Sequence, residues 1–144
     1  MIRKLRPEDK ERWLELWAGY LKFYQKQLPK SQTNLSWERL LNSTAGLNAL
    51  VAEHEGEVVG IAHYFWTPST WSENQDLYLE DLFVLPAARN SGVAKALISQ
   101  LLEICTAAGG SKVHWQTRRD NLTARKLYDS LAELSEFVVY EIRT

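Results

Sequence analysis

The segment "YLEDLFVLPAARNSGVAKALISQLLEIC", residues 78–105, combines a strand pattern, a loop and a helix pattern in direct succession. Apolar and aromatic residues up to Leu85 are typical of a buried strand, and apolar residues recur at helical spacing after Pro86. Glu80 and Asp81 interrupt the apolar run. A buried charge is costly unless it is paired, hydrated or used in chemistry. The segment therefore predicts a strand-to-helix loop with two carboxylates just before it.

The loop between this strand and helix is predicted to bind an anion. A helix start presents several unpaired N–H groups and the positive end of the helix dipole to whatever lies before it. Gly92 allows close approach of the backbone, and Arg89 and Lys95 add positive charge. A pyrophosphate fits such a loop. The segment contains neither G-x-G-x-x-G nor a G-K-[ST] ending, which argues against a dinucleotide fingerprint and a P-loop.

The rest of the chain predicts an α/β fold with a mixed, mostly antiparallel central sheet and flanking helices, in the order β-α-α-β-β-β-α-β-α-β. No linker or repeat interrupts residues 1–144, so one domain is expected. The predicted helices cover 7–25, 36–41, 93–108 and 121–134, and the predicted strands cover 1–6, 47–54, 57–67, 76–85, 112–117 and 137–143.

Composition narrows the range of functions. The chain is 45% hydrophobic and 24% charged with a net charge of −1, which argues against a nucleic-acid partner, and its apolar runs are too short to span a membrane. One cysteine and the polar start "IRKLRPEDKERW" predict a reducing, cytoplasmic location. Cys105 is expected in the core. The three histidines lack the spacing of metal ligands, so no metal is expected.

Two motifs identify the family that the chain resembles. The loop matches the Q/R-x-x-G-x-G/A pattern, and the last predicted helix matches N-x-x-A-x-x-L/F-Y. Both are typical of the GNAT superfamily of N-acetyltransferases, and "YLEDLFV" is most similar to the spermidine/spermine and Hpa-type branch. One departure is Glu136, which stands where the family usually has a glycine before the last strand. The matching positions are Arg89, Gly92, Ala94, Asn121, Ala124, Leu127 and Tyr128.

The resemblance implies acetyl-CoA as co-substrate, and its site follows position by position. The backbone after Glu80 would bind the pantetheine arm and polarise the acetyl carbonyl, as an oxyanion hole does. The loop would hold the pyrophosphate, and the last helix would contact the arm from the other side. The implied cofactor residues are Leu82, Phe83, Val84, Arg89, Asn90, Ser91, Gly92, Val93, Ala94, Lys95, Asn121, Ala124 and Tyr128.

The chemistry requires a base and an acid. An alkylammonium has a pKa near ~10.4, so only about one molecule in ~2,500 is nucleophilic at pH 7. By resemblance, Glu80 binds the amine and removes its proton through water, and Tyr128 protonates the coenzyme A thiolate. Asp81 is a candidate second cation contact. Alternation places adjacent strand residues on opposite faces, so at most one of the two carboxylates can face a given side of the sheet. For each of them a structural ion pair remains the alternative.

The expected acceptor is a small cationic amine: a polyamine, a diamine or a lysine-like amine. Phe23 and Tyr24 align with acceptor contacts of the polyamine enzymes, and His63 is a candidate for the cleft wall. Two alternatives stay open, an acyl-CoA sensor without turnover and an acetyltransferase of protein lysines. The resemblance also implies a homodimer, since exposed sheet edges favour pairing through the C-terminal strand.

Overall fold

The computed structural model describes residues 1–144, and its elements follow the predicted order up to the last helix. Each of the four helices has at least ten residues, and short 3₁₀ turns precede two of them. The elements are β1 (Ile2–Lys4), α1 (Lys10–Phe23), α2 (Lys30–Leu41), β2 (Asn48–His54), β3 (Glu57–Thr67), β4 (Asp76–Val84), α3 (Val93–Ala107), β5 (Val113–His114) and α4 (Leu122–Leu131).

The five strands form one sheet in the order β1-β2-β3-β4-β5. The first four are antiparallel, and only β5 runs parallel to its neighbour β4. Apolar side chains cover both faces, which divides the core into two clusters. The α3 cluster includes Leu77, Leu79, Leu97, Leu101 and Cys105, and the α1–α2 cluster includes Trp13, Leu16, Trp17, Trp37 and Ile61.

An ion-pair network fixes the start of α1 against the sheet. The Arg3 guanidinium contacts Asp9 at 2.8 Å and Glu53 at 2.7 Å. The hydrogen bond from Arg3 holds the pKa of Asp9 below its usual range. A carboxyl whose pKa is lowered on folding stabilises the fold above its unfolded pKa and loses that contribution on acidification. At neutral pH the network therefore holds α1 in place.

A β-bulge at Glu80 breaks the alternation of β4. His63 pairs with Asp81 and Tyr64 pairs with Leu79, so Glu80 has no partner on β3. Leu79 and Leu82 both pack against the α3 cluster, although strict alternation would put residues three apart on opposite faces. The bulge therefore re-aims the two carboxylates. The expectation that Glu80 and Asp81 simply point to opposite faces does not hold here.

The strands β4 and β5 separate after a short contact. Leu77 pairs with Val113 and Tyr78 with His114, and no pair follows. The prediction of a strand over 112–117 is correct only for these two residues. From Leu79 onwards, β4 therefore has a strand partner only on its β3 side. The edge that faces β5 opens into a gap.

The predicted last strand, 137–143, is not formed. Residues after Ala132 have no regular structure and are exposed, with Tyr140 at 92% and Ile142 at 96%. A strand needs a paired edge, and the chain leaves α4 in an extended conformation at Ala132 without a tight reversal towards β5. Glu136 occupies the position where the family's glycine would ease such a turn. The segment therefore remains unpaired within its own chain.

The α/β class and the mixed sheet with flanking helices are confirmed. Among the helices only the ends differ: α2 begins six residues earlier than the predicted 36, at Lys30, and α4 ends at Leu131 rather than at 134. These differences arise where polar residues, not the apolar pattern, set the boundary. None of the helices combines the length and apolar character needed to cross a bilayer.

Candidate active site

A narrow cleft occupies the gap where β4 and β5 separate. It joins four parts of the chain: the end of α1, the bulged part of β4, the segment after β5, and α4. Three tyrosines and one carboxylate give it a polar character within an apolar wall. The lining residues are Tyr20, Tyr24, Leu79, Glu80, Leu82, Trp115, Gln116 and Tyr128.

Glu80 is the only carboxylate in the lining of the cleft. One side of it is exposed to solvent, while the protein removes water from the other. This desolvation, followed by the charge of Asp81, raises the pKa of Glu80, and the charges of His63 and Arg39 oppose the rise. A carboxylate with a raised pKa is a stronger base than a fully hydrated one. The bulge has therefore placed a proton acceptor in the cleft.

Tyr128 faces Glu80's cleft from α4. Its ring packs edge-on against Trp115, with 5.4 Å between ring centroids. Burial, with a smaller contribution from Tyr24, raises the pKa of Tyr128 to about 12. The hydroxyl is therefore protonated at neutral pH. A half-buried phenol that opens into a cleft is a suitable proton donor.

The C-terminal end of α1 forms an aromatic wall. Tyr20 stacks on Trp17 at 5.3 Å and contacts Tyr24 at 4.9 Å. Tyr24 lines the cleft, as does Tyr20, which was not among the predicted site residues. Phe23 is 53% exposed and lies outside the lining. The signal for Tyr20 was present: two tyrosines four residues apart lie on one helix face.

Asp81 turns away from the cleft into the protein. Its Oδ2 lies 2.9 Å from His63 Nδ1, and His63 Nε2 lies 3.0 Å from the indole Nε1 of Trp13. His63 is 5% exposed. Neither Asp81 nor His63 belongs to the lining of the cleft. Both sit directly behind the wall that Tyr20 and Glu80 form.

The loop before α3 has the geometry of an anion site. Asn90 has φ 62° and Gly92 φ 82°, both in the left-handed region. The amides of residues 90–95 donate to no group of the protein, and the first backbone bond here runs from Ala96 to the Gly92 carbonyl at 2.9 Å. No atom lies within 4 Å of the place where a Cβ on Gly92 would stand. The loop therefore offers a row of free donors and open space before them.

Arg89 is tied to β4 instead of projecting in front of this loop. Its Nε donates to the Val84 carbonyl at 3.0 Å, and its guanidinium lies 5.5 Å from the Phe83 ring centroid. Asn121 begins α4, and its amide donates to Thr117 Oγ1 at 3.0 Å. Its side-chain oxygen stays free to accept. Ala124 lies one turn further along α4.

These features fit the coenzyme A part of acetyl-CoA. The free amides and left-handed glycine suit a pyrophosphate. The unpaired edge of β4 at Leu82–Val84 lies between that loop and Glu80, so an extended arm along this edge would reach the cleft. A second, more open depression of about 250 Å³ is lined by Trp66, Glu73, Asn74, Gln75 and Ala108. It contains neither feature.

No group of three or more histidine, cysteine or acidic side chains comes together as a metal site would require. Cys105 is 2% exposed, and its thiol contacts the Lys112 carbonyl at 3.4 Å, which makes it a core residue.

Comparison with known proteins decides the family. The family model described as "Acetyltransferase (GNAT) family" matches residues 10–132. The chain belongs to this family. It is an acetyl-CoA-dependent N-acetyltransferase, with acetyl-CoA as the co-substrate that GNAT enzymes share.

Curated relatives and solved structures agree with this assignment. The chain is 29% identical to the D-amino-acid N-acetyltransferase HPA3 of Saccharomyces cerevisiae over 98% of this chain and 89% of the relative. It is 32% identical to the thialysine N-epsilon-acetyltransferase of Bos taurus, over 51% of this chain and 43% of the relative. The crystal structure of ribosomal-protein-alanine N-acetyltransferase from Brucella melitensis biovar Abortus 2308 superimposes with a TM-score of 0.84 at 26% identity. It covers 100% of this chain and 99% of that one.

Proposed function

We propose that this GNAT enzyme acetylates a primary amine of a small cationic acceptor: a polyamine, a diamine or a lysine-like amine. The amine attacks the acetyl carbonyl directly in a ternary complex. The observation that carries the proposal is the β-bulge in β4. It leaves Glu80 without a partner on β3 and turns it into a cleft lined by three tyrosines.

Glu80 is the proposed amine ligand and base. A carboxylate attracts an ammonium group, and its raised pKa improves its ability to take the proton, directly or through one water. Tyr20 and Tyr24 supply aromatic faces on the same side of the cleft, and such faces favour cations. Asp81 acts from behind as a second source of negative charge.

Tyr128 is the proposed proton donor for the leaving thiolate. With a pKa of about 12 its hydroxyl keeps the proton until the thiolate forms. Acetyl-CoA supplies the activated thioester, and the free edge of β4 at Leu82–Val84 offers backbone groups to the pantetheine arm and the carbonyl oxygen. The amides of residues 90–95 bind the pyrophosphate, with Asn121 and Ala124 on the opposite side.

The relatives support an amine acceptor of this size. One is named for thialysine, a lysine-like amine, and the other for D-amino acids. A turnover screen with acetyl-CoA tests the proposal by coenzyme A release over spermidine, diamines, thialysine, D- and L-amino acids and a basic peptide. We expect the highest kcat/KM among the di- and polyamines or thialysine. Release with the peptide alone would favour a protein-lysine acetyltransferase, and the absence of release with every amine would favour an acyl-CoA sensor.

A zwitterionic amino acid is the second candidate acceptor. The Arg118 guanidinium lies 5.7 Å from the Tyr24 ring centroid at the mouth of the cleft. A guanidinium in that position can bind a carboxylate while Glu80 binds the amine. Arg118→Gln separates the two candidates: it should raise KM for an amino acid and leave KM for a diamine unchanged.

We also propose that the enzyme is a homodimer, in which residues 137–143 of one copy pair with the open sheet edge of the other copy. Residues 137–143 carry a strand pattern yet have no partner, and the sheet ends at β5 with an open edge. Reciprocal pairing would give hydrogen-bond partners to the backbone of the segment and of the open edge, and it would cover exposed apolar side chains. Those side chains are Leu134, Phe137, Val138, Val139, Tyr140 and Ile142, each at least 67% exposed.

Sedimentation at micromolar concentration tests the dimer. We expect twice the chain mass of 16.6 kDa for the wild type, and a shift towards the monomer for the pair Val138→Asp and Tyr140→Asp. Leu122→Asp is the matched control, because Leu122 is also exposed, at 71%, but lies outside the segment. A wild-type mass near 16.6 kDa would contradict the proposal.

A further inference from the structure

A buried row of polar groups runs behind the acceptor wall. Trp13 on α1, His63 on β3 and Asp81 on β4 are joined by hydrogen bonds of 3.0 Å and 2.9 Å. Trp13 is fully buried, His63 is 5% exposed and the Asp81 side chain 13%. Burying polar groups is unfavourable unless each finds a partner, and here each does.

The chemistry of the donors fixes the orientation of the row. An indole N–H can only donate, so His63 Nε2 must accept and carry no proton. His63 then carries its proton on Nδ1 and donates it to Asp81 Oδ2. Trp13 therefore selects the tautomer of His63, and His63 in turn holds one oxygen of Asp81.

The influence of Asp81 reaches two residues of the cleft. Tyr20 stacks on Trp17, and Trp17 packs against His63 with 5.4 Å between ring centroids. Burial raises the pKa of Tyr20, and the nearby charge of Asp81 raises this pKa further. The same charge adds to the desolvation that raises the pKa of Glu80. Asp81 therefore places negative charge behind the wall that Tyr20 and Glu80 form, and such a charge attracts an ammonium group in the cleft.

We propose that His63, oriented by Trp13, is a positioning residue that fixes Asp81 and thereby holds a negative charge behind the acceptor wall, where that charge favours the protonated amine substrate. The inference rests on the proposed function and names what selects the cation. His63 itself touches no substrate. Its contribution is to hold the Asp81 charge in place while the acceptor binds.

His63→Leu tests the inference, since leucine fills the space but leaves Asp81 and Trp13 without partners. With spermidine and thialysine as acceptors, we expect KM for the amine to rise about 10-fold or more, while KM for acetyl-CoA stays at its wild-type value. Losing a hydrogen bond to a charged group has that size of effect. His63→Gln can accept from Trp13 and donate to Asp81, so it should recover part of the affinity.

Ile61→Ala is the matched control for a loss of packing. Ile61 lies two residues away on the same strand, is fully buried and belongs to the same α1–α2 cluster. We expect it to lower the melting temperature and leave KM for the amine unchanged. If His63→Leu does not fold, Trp13→Phe provides the milder test, because it removes the indole donor and keeps an aromatic ring.

A double-mutant cycle shows whether His63 acts through Asp81. Asp81→Asn keeps an acceptor for His63 but removes the charge. If the inference holds, the double variant has the amine KM of Asp81→Asn alone. The acidic limb of the pH profile of kcat/KM should also move to lower pH in Asp81→Asn. The groups facing Asp81 and Glu80 are His63, Tyr20, Tyr24 and Arg39, and only Glu80 is expected to set that limb.

Additive effects in the cycle, or an unchanged amine KM in both His63→Leu and Trp13→Phe, would overturn the inference. Failure of the proposed function has a different outcome. In that case the wild type itself would release no coenzyme A with either amine.

Discussion

The proposed substrate site has two ends, the loop before α3 and the cleft between β4 and β5. They are built from different parts of the polypeptide. The loop before α3 presents backbone amides from six consecutive residues, 90–95. The acceptor end presents side chains from α1, β4, the segment after β5, and α4. A backbone site depends on local φ and ψ, whereas a side-chain site depends on packing between distant elements. The comparison predicts that the first end responds to conformational changes and the second to changes of charge and hydrogen bonding.

The largest expected effect is at Tyr128, which belongs to the side-chain end. Tyr128→Phe keeps the ring against Trp115 and removes only the proton donor. We expect kcat to fall about 10²- to 10⁴-fold, with little change in acetyl-CoA affinity. Stopped assays measure kcat, and calorimetry measures the affinity for acetyl-CoA.

Tyr140→Phe is the control, since Tyr140 is 92% exposed. Because the pKa of Tyr128 is about 12, its hydroxyl stays protonated below about pH 11. A loss of activity as the pH rises through the neutral range would therefore have another origin. An unchanged kcat in Tyr128→Phe would remove this residue from the reaction.

Gly92→Val tests the backbone end. A β-branched residue disfavours φ 82°, so the loop should relax and its amides should no longer converge. We expect acetyl-CoA affinity to weaken on the order of 10- to 100-fold, the equivalent of losing about one charge-assisted hydrogen bond. The value of kcat at saturation should change little.

Gly46→Val is a close control for conformational strain. Gly46 has φ 84° and also has no atom within 4 Å of an added Cβ. It lies outside both the loop and the cleft. We expect a similar loss of stability with normal acetyl-CoA affinity. Equal affinity losses in the two variants would show that global strain, not loop geometry, controls binding.

Glu80→Gln tests whether charge controls the acceptor end. We expect KM for a cationic amine to rise about 10-fold and activity to recover partly as the pH approaches the pKa of the amine, near ~10.4. A carboxyl whose pKa is raised in the folded state opposes folding once it is ionised. Glu80→Gln should therefore be at least as stable as the wild type at pH 7.

Thermal unfolding and a pH profile of kcat/KM measure both effects. Gln116→Glu supplies a useful counterpart, because it adds a carboxylate to the same lining. A wild-type KM and pH profile in Glu80→Gln would make Glu80 a structural carboxylate and leave water or Asp81 as the base.

The smallest expected effect is at Arg89. Its guanidinium is tied to Val84 and Phe83, so it adds charge to the pyrophosphate site only from the side. We expect Arg89→Gln to weaken acetyl-CoA affinity by up to about 5-fold, in the range of an exposed ion pair. The loss should shrink at high salt. A loss as large as that of Gly92→Val would mean that side-chain charge, not the backbone, controls this end.

The sequence alone determined the features that depend on local pattern. Apolar periodicity predicted β2, β3, β4 and α3 to within a few residues, because one buried face suffices to set each of them. The glycine turn that opens α3 was also predicted, since a glycine next to a helix start sets the backbone locally. Binding of an anion by this loop stays a prediction. The family followed from the same two motifs.

Only the tertiary structure decided which side chains meet. The bulge that turns Glu80 into the cleft is a shift in the register between β3 and β4, and such a shift depends on both strands rather than on the pattern of β4 alone. Tyr20 was not among the predicted site residues, because helical spacing is the same for a buried wall and a cleft wall. Trp13 and His63 are 50 residues apart, and His63 and Asp81 are 18 apart. Their contacts exist because α1 packs across the sheet, which is a property of the whole fold.

The last strand shows the same division from the other side. Residues 137–143 carry the strand pattern, and the sequence predicted a strand there. Whether a strand forms depends on an available edge as well as on pattern, because backbone N–H and C=O groups need partners. Within one chain the extended exit from α4 brings no edge within reach. The sequence determined what this segment can become, and the tertiary structure decided that its own chain does not complete it.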